Sequence, residues 1–466
     1  MLKPGLLLAL VCAIMLGQPK IDLTKPPETP PIPSYKLPPV HQAKLANGLQ
    51  VMLVEDKRFP LVTARIVFHA GTKFDPQDLP GLASAVSSLI TEGTKTRTQL
   101  QIAQETTSIG GSINGSTSAD ALTIAGSSLS EFLPKLMTLL ADVTLKATFP
   151  QDEVSLYKDN RKQALVAQKT QPAFLANEQF QKTVYGDGNP YAHIAPTMES
   201  IEKLDVKGLT AYRDSHLTPA NANLILLGDI PARAETIKLI ESHFGKWPQR
   251  AAPPAPKMQF PASKREIILV DRPGSVQADI RVGQLSVTRK DPAHFPLLMG
   301  NIILGGGMMS RLFNEIREKQ GFAYDVHTEF DRNREMGTTE VVTQVRNEVL
   351  EPALGGVLKE MEGMAQGPVT ATELTDAKNY VAGNFLLGMQ TQAGLAGQLA
   401  MTKEMDLPVS YLENFTNGIR ATEPDQIQNA AKKFIAPEDA VIVVVGDAAK
   451  IRAAVEKYGT VRVVKP

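Results

Sequence analysis

The sequence predicts an α+β protein made of two homologous half-domains. Short apolar runs of strand type are interspersed with segments of helical period, without the regular alternation that a parallel doubly wound sheet requires. One set of strand and turn residues recurs at a steady offset, and a proline-rich stretch lies between the two copies.

The repeat is explicit. Val51-Met52-Leu53-Val54-Glu55-Asp56 returns 216 residues later as Ile267-Ile268-Leu269-Val270-Asp271-Arg272. At the same offset Arg65, Asp75, Pro76 and Pro80 meet Arg281, Asp291, Pro292 and Pro296. Pro219, Ala222, Gly228 and Asp229 then meet Pro437, Ala440, Gly446 and Asp447 at an offset of 218. Apolar matches alone are common by chance, but shared Asp-Pro and Gly-Asp punctuation is not, so an ancient duplication is inferred. Within each half the predicted order is strand, strand, long helix, strands, helices, strand. The closing strands, 223–227 and 440–445, are apolar runs ended by Gly-Asp, as buried strands entering a turn should be. Segments 153–168 and 371–387 carry apolar residues at helical spacing.

At the N-terminus, Lys3, the 11-residue apolar run Leu6 to Leu16, and then Gly17 and Gln18 have the layout of a signal peptide, assigned to residues 1–18. The run is too short for a stable bilayer helix, which needs about 20 residues. The expected location is outside the cytoplasm, periplasmic or extracellular, without a stable membrane span. Cys12 is the single cysteine and follows Val11, where a lipoprotein signal has a small residue. If the signal is cleaved, Cys12 goes with it and disulfide and thiol chemistry are excluded. Residues 19–41 hold eight prolines and are assigned as a tether. The first half-domain is 42–247, the linker 248–264 and the second half-domain 265–466. With 49 Lys+Arg against 49 Asp+Glu, no global field exists to collect polyanions, so nucleic acid is not an expected partner.

The ordered landmarks Leu45-Ala46-Asn47-Gly48-Leu49, Gly81-Leu82-Ala83, Glu92-Gly93-Thr94, Tyr185-Gly186, Pro190-Tyr191, Leu227-Gly228-Asp229 and the run Leu304 to Phe313 resemble those of insulinase-like (pitrilysin-family) zinc peptidases. The resemblance runs from about residue 42 to the end. It implies half-domains like those of mitochondrial processing peptidase, each a mostly antiparallel sheet flanked by helices. In active members the helix after Gly-Leu-Ala carries His-x-x-Glu-His, two zinc-binding histidines and a water-activating glutamate. Here those five positions read Ser84, Ala85, Val86, Ser87 and Ser88, and the family's third ligand, a glutamate further along, falls close to Ala164. The closest two of the seven histidines, His193 and His216, are 23 residues apart, so no substitute pair exists. Neutral hydroxyls are poor zinc ligands, and no zinc or other cofactor is expected on this chain. A serine-hydrolase reading of Ser84, Ser87 and Ser88 lacks a general base; small polar residues filling a vacated metal pocket is the simpler account.

Ser310 can cap a helix from Arg311 to Lys319 that buries Leu312, Phe313 and Ile316 and stops at Gly321, with Phe322 to Thr328 returning as a strand. That reversal brings Arg317 close to Tyr324. In the family this Arg/Tyr pair, seven residues apart, reaches over the scissile carbonyl of the substrate. On motif evidence alone, Arg317 merely complements a helix C-terminus and Tyr324 packs; the resemblance favours the clamp. Gly305-Gly306-Gly307 lacks the Gly-Lys-Ser/Thr of a phosphate loop and is read as a close-approach or mobile loop near the peptide path, with Gly305, Gly306 and Gly307 as substrate-binding residues. Gly110 to Gly115 resembles the family's substrate-holding edge strand, with Asn114 and Gly115 as binding residues. Some relatives of this size work as pairs, one chain bearing zinc and the other the Arg/Tyr pair. The resulting expectation is a noncatalytic, substrate-clamping subunit of a heterodimeric zinc metalloendopeptidase acting on unfolded peptides, with zinc on the partner. The alternative is a catalytically inactive peptide-binding or scaffold protein of the same fold.

Overall fold

A computed structural model of the protein describes residues 31–466, of which Ser34–Pro466 form one compact unit. The signal-peptide assignment and most of the tether lie outside the described residues. Each half contributes one six-stranded sheet. The first is built from β1 (His41–Lys44), β2 (Gln50–Glu55), β3 (Leu61–Phe68), β4 (Ser112–Thr117), β5 (Leu122–Leu129) and β6 (Ala222–Gly228). The second is built from β7 (Glu266–Asp271), β8 (Gln277–Ser286), β9 (Ala323–Asp331), β10 (Gly337–Arg346), β11 (Val441–Gly446) and β12 (Val461–Val464).

The sheet orders β1-β2-β6-β3-β5-β4 and β12-β7-β11-β8-β10-β9 superpose the repeat strand for strand over five positions. In each half the parallel pair, β2 with β6 and β7 with β11, joins the first and last strands of the repeat, and the pairs from there to β4 or β9 are antiparallel. The sixth strand breaks the symmetry. β1 precedes β2 and pairs antiparallel, whereas β12 comes from the chain's end and pairs parallel with β7. The Gly-Asp punctuation has a steric cause at Gly228, where φ is +134° and a Cβ would stand 2.1 Å from the Leu61 carbonyl oxygen.

The long helix expected after β3 is two short ones, Leu82–Leu89 and Gln99–Ser108. Gly93, at φ 152°, turns the chain between them, and Thr98 opens the second with a capping box to Gln101. The other two predicted helices span Gln151–Lys169 and Ala371–Gly388.

The halves do not simply sit on either side of the linker, which has no regular structure over 248–265. Each lends a helix to the other. Pro172–Tyr185 of the first half lays Leu175, Phe180 and Val184 on the second sheet against Val441, Val443 and Val445. Gln392–Glu404 of the second half lays Leu395, Ala396 and Leu399 on the first sheet against Val54, Ile225 and Leu227. Covering an exposed apolar sheet face is the driving force, and the exchange ties the halves together through two shared apolar clusters. The described end of the tether joins this packing. Leu37 is buried in the same cluster, and Tyr35 meets the Phe385 ring edge-on at 5.8 Å. Among the described residues no helix is long and apolar enough to cross a membrane.

Polar groups also bridge the halves. Arg334 donates to His69 Nδ1 at 2.8 Å, which fixes that imidazole as a neutral acceptor. Burial, with the Arg334 and Lys73 charges beside it, pushes His69 down from 6.5 to about 4. Between those values the unfolded chain binds a proton that the folded chain refuses, so this contribution to stability is complete above pH 6.5 and is lost as pH falls toward 4. Urea midpoints measured at pH 7 and pH 4.5 should therefore differ less for His69→Gln than for the wild type; an equal difference removes His69 from the account.

Candidate functional site

Leu82–Leu89 begins at Gly81, and the Asp75 carboxylate accepts from the Gly81 and Ala83 backbone N–H groups at 2.7 and 2.8 Å. Burial outweighs these bonds and pushes Asp75 up to about 7. The helix packs on the edge strand β4 so closely that a Cβ on Gly115 would lie 2.1 Å from the Ser87 carbonyl oxygen. Gly115 is thus where a helix meets a strand, whatever else the strand binds. Asn114, its neighbour, is exposed. β4 is the end strand of its sheet, as the resemblance implies, and one side of its backbone has no strand partner.

The serines divide by environment. Ser87 is buried, donating to the Ser84 carbonyl at 3.0 Å and accepting from the Thr117 hydroxyl at 2.6 Å. Ser84 lines a cavity of ≈ 550 Å³ between the halves, along with Lys73, Asp75, Arg161, His193 and Asp331. Ser88 is exposed and faces the Tyr157 phenol. Ala164 lies exposed on Gln151–Lys169, and the side chains that this helix brings toward the serines are Tyr157 and Arg161. Among the described residues no imidazole or carboxylate hydrogen-bonds to the Ser84, Ser87 or Ser88 hydroxyl, so none of these three is activated as a nucleophile. The residues around the serine helix do not fit zinc: the Ser87 hydroxyl is committed to a backbone carbonyl and to Thr117, Arg161 is a cation, Tyr157 is a phenol, and the Asp75 carboxylate is taken up by the N–H groups of Gly81 and Ala83. Nowhere among the described residues do three His, Cys, Asp or Glu side chains gather in metal-binding proximity.

The second half assembles differently. Leu312, Phe313 and Ile316 are buried as the spacing predicts, and Gly321 reverses the chain at φ +64°. The Ser310 hydroxyl accepts from the Phe313 N–H at 3.4 Å. What the spacing misses is that Phe313–Lys319 is a π-helix, whose wide turns end with the Gln320 N–H bonded to the Glu315 carbonyl. The structure brings Arg317 and Tyr324 together. The guanidinium carbon lies 4.6 Å from the Phe313 ring centroid and 5.1 Å from that of Tyr324, a cation stacked between two aromatic faces. A β-bulge sets Tyr324 and Asp325 opposite the single residue Gln344, which turns Tyr324 outward to 86% exposure. A large aromatic that exposed, on an edge strand with a cation fixed against it, is available to another molecule.

The three glycines have separate roles. A Cβ on Gly305 would meet Thr328 of β9 at 2.6 Å, so this position lets the helix His294–Gly305 approach the edge strand as Gly115 does in the first half. Gly306 caps that helix, and Gly307 stands in open space before the exposed Met308 and Met309.

Two family models match the chain: insulinase (peptidase family M16) over residues 50–197, and the peptidase M16 inactive domain over residues 203–381, which includes Arg317 and Tyr324. An uncharacterized zinc protease of Streptomyces coelicolor is 20% identical over 410 residues, covering 87% of this chain and 89% of that one. The crystal structure of a peptidase M16 inactive domain from Pseudomonas fluorescens superposes with a TM-score of 0.81 at 28% identity, covering 87% of this chain and 98% of the other. A protease structure from Helicobacter pylori shares the fold, with a TM-score of 0.80 at 18% identity over 88% of this chain and 100% of its own.

Proposed function

Because the chain belongs to the insulinase (M16) family of peptidases, we propose that it is the noncatalytic, substrate-clamping subunit of a heterodimeric zinc metalloendopeptidase that degrades or processes unfolded peptides. The observation that carries the reading is the exposed stack of Tyr324 on Arg317, in a chain whose serine helix has no side chains that fit zinc. A guanidinium and a phenol both donate hydrogen bonds and neither needs a metal to do so. Aimed at a peptide carbonyl oxygen as it gains negative charge, they stabilise the tetrahedral intermediate, and the aromatic stack holds the guanidinium in place before the charge develops. In this reading zinc belongs to the partner chain, and peptide lies along free strand edges. Export from the cytoplasm rests on Lys3 and the apolar run Leu6 to Leu16.

The test is reconstitution. The purified chain, dialysed, should hold well under one zinc per molecule and cleave no unstructured peptide. Mixed with an insulinase-family chain that keeps His-x-x-Glu-His, encoded by a neighbouring gene, it should yield an active complex. One tightly held zinc per chain, with peptidase activity of this chain alone, overturns the proposal.

A further inference from the structure

The second sheet keeps one buried carboxylate without a counter-ion. Asp279, on β8, is 3% exposed, and its Oδ1 is buried with no hydrogen-bond partner. The cation two residues along, Arg281, is committed elsewhere: its Nη1 donates to Glu340 at 2.8 Å and to Glu329 at 3.2 Å. Across the sheet Asp279 faces Gln344 of β10 and Val445 of β11, neither of them charged. Burial pushes the Asp279 carboxyl up to about 6, with Arg281 opposing the shift and Glu329 adding to it. Packing does not require a carboxylate here, since the repeat places Thr63 at the equivalent position of β3.

An unpaired buried charge is costly, and such groups are kept where something arrives to pair with them. Asp279 forms part of the wall of a cavity of ≈ 520 Å³, whose lining also includes Gly321, Tyr324, Asp325 and Gln344. Arg346, the cation in that lining, stands opposite Gln277 and makes no ion pair with Asp279. The cavity therefore joins the uncompensated carboxylate to the exposed ring of the Arg317–Tyr324 stack. It also lies along β9, the end strand of its sheet, where an extended peptide can add its backbone. The volume is within the range of ligand pockets, about 300 to 1,000 Å³, and leaves room for a side chain and the backbone carrying it.

We propose that this cavity is a subsite for a lysine or arginine side chain of an extended peptide, with Asp279 as its counter-ion. The choice of a peptide as occupant rests on the clamping reading above. The choice of a cation rests on Asp279 alone. A neutral side chain would leave the carboxylate as unpaired as before, and an acidic one would add a second negative charge, so the site discriminates by charge.

Equilibrium binding to the full chain by itself tests this, using short unstructured fluorescent peptides of alanine and serine with one variable residue: Lys, Arg, Met or Glu. The Lys and Arg peptides should bind about tenfold more tightly than the Met peptide, the scale of one charge-assisted hydrogen bond. In Asp279→Asn that preference should vanish while affinity for the Met peptide is unchanged. Gln344→Lys supplies an ammonium directly opposite Asp279; it should abolish the preference from within and raise the urea midpoint. Failure of every peptide to bind, equal binding of Lys and Met peptides by the wild type, or a preference that survives either variant overturns the proposal. Should Asp279→Asn not fold, Gln344→Lys decides. No partner chain and no hydrolysis enter the measurement, so its outcome is separate from that of the reconstitution.

Discussion

In the reconstituted complex, Arg317→Ala is expected to lower kcat by about 10²- to 10³-fold, a loss of about 2.7 to 4 kcal/mol of transition-state stabilisation from one preorganised donor. The effect should fall on kcat rather than on KM or on complex formation, because the donor is used only when charge appears on the carbonyl oxygen. Tyr324→Phe separates the two roles of the tyrosine. It keeps the ring that lies 5.1 Å from the guanidinium carbon and removes only the hydroxyl donor. Arg317→Lys is not a mild change either, since a compact ammonium cannot lie flat between Phe313 and Tyr324 as the planar guanidinium does. Ser88→Ala serves as the control: the hydroxyl is exposed and has no part in the clamp, so activity should be unchanged. If the Arg317 and Tyr324 variants match the wild type in kcat and KM while binding the partner normally, the clamp is wrong. The alternative of an inactive scaffold then becomes the better account.

The sequence makes the repeat legible because strand punctuation is local. Gly228 must be glycine where its strand turns against Leu61, and the Asp-Pro and Gly-Asp pairs recur for reasons confined to a few residues. The Arg317 and Tyr324 juxtaposition is legible for the same reason, since a helix, one left-handed glycine and a returning strand bring them together within eight residues.

What the sequence hides is non-local. The helices Pro172–Tyr185 and Gln392–Glu404 each carry an apolar face, but nothing in either names the sheet that it covers, and both cross to the other half. Asp279 sits in Gln-Ala-Asp-Ile-Arg, where alternation reads as a solvent-facing strand position; only its burial, and the commitment of Arg281 to Glu340 and Glu329, reveal it as unpaired. The π-helix is hidden as well, because its widened turns differ from an α-helix in backbone pairing rather than in residue type.

Asp120→Asn is expected to destabilise the chain by about 3 to 5 kcal/mol, the cost of leaving one member of a buried ion pair alone. Lys73 Nζ stands 2.7 Å from Asp120 Oδ1, and both side chains are almost wholly buried, at 2% and 1% exposure. Asp120 also gathers the two halves. Its Oδ1 accepts from the Tyr191 hydroxyl at 2.6 Å, and its Oδ2 accepts from the Arg334 backbone N–H, in the turn after β9, at 2.8 Å. Losing the charge therefore weakens the junction between the β4–β5 turn and the second sheet as well as stranding an ammonium. The half-exposed Glu335, 3.6 Å from Lys73, is too far and too solvated to replace it. Lys73→Met should cost less than Asp120→Asn, because the carboxylate retains two hydrogen-bond donors. The double variant should be more stable than the sum of the single effects predicts, by at least about 1 kcal/mol, since removing Lys73 relieves the stranded charge left by Asp120→Asn. Urea unfolding of the four proteins closes this cycle. Additivity within about 0.5 kcal/mol would show that the pair is not coupled and that Asp120 acts only through Tyr191 and Arg334.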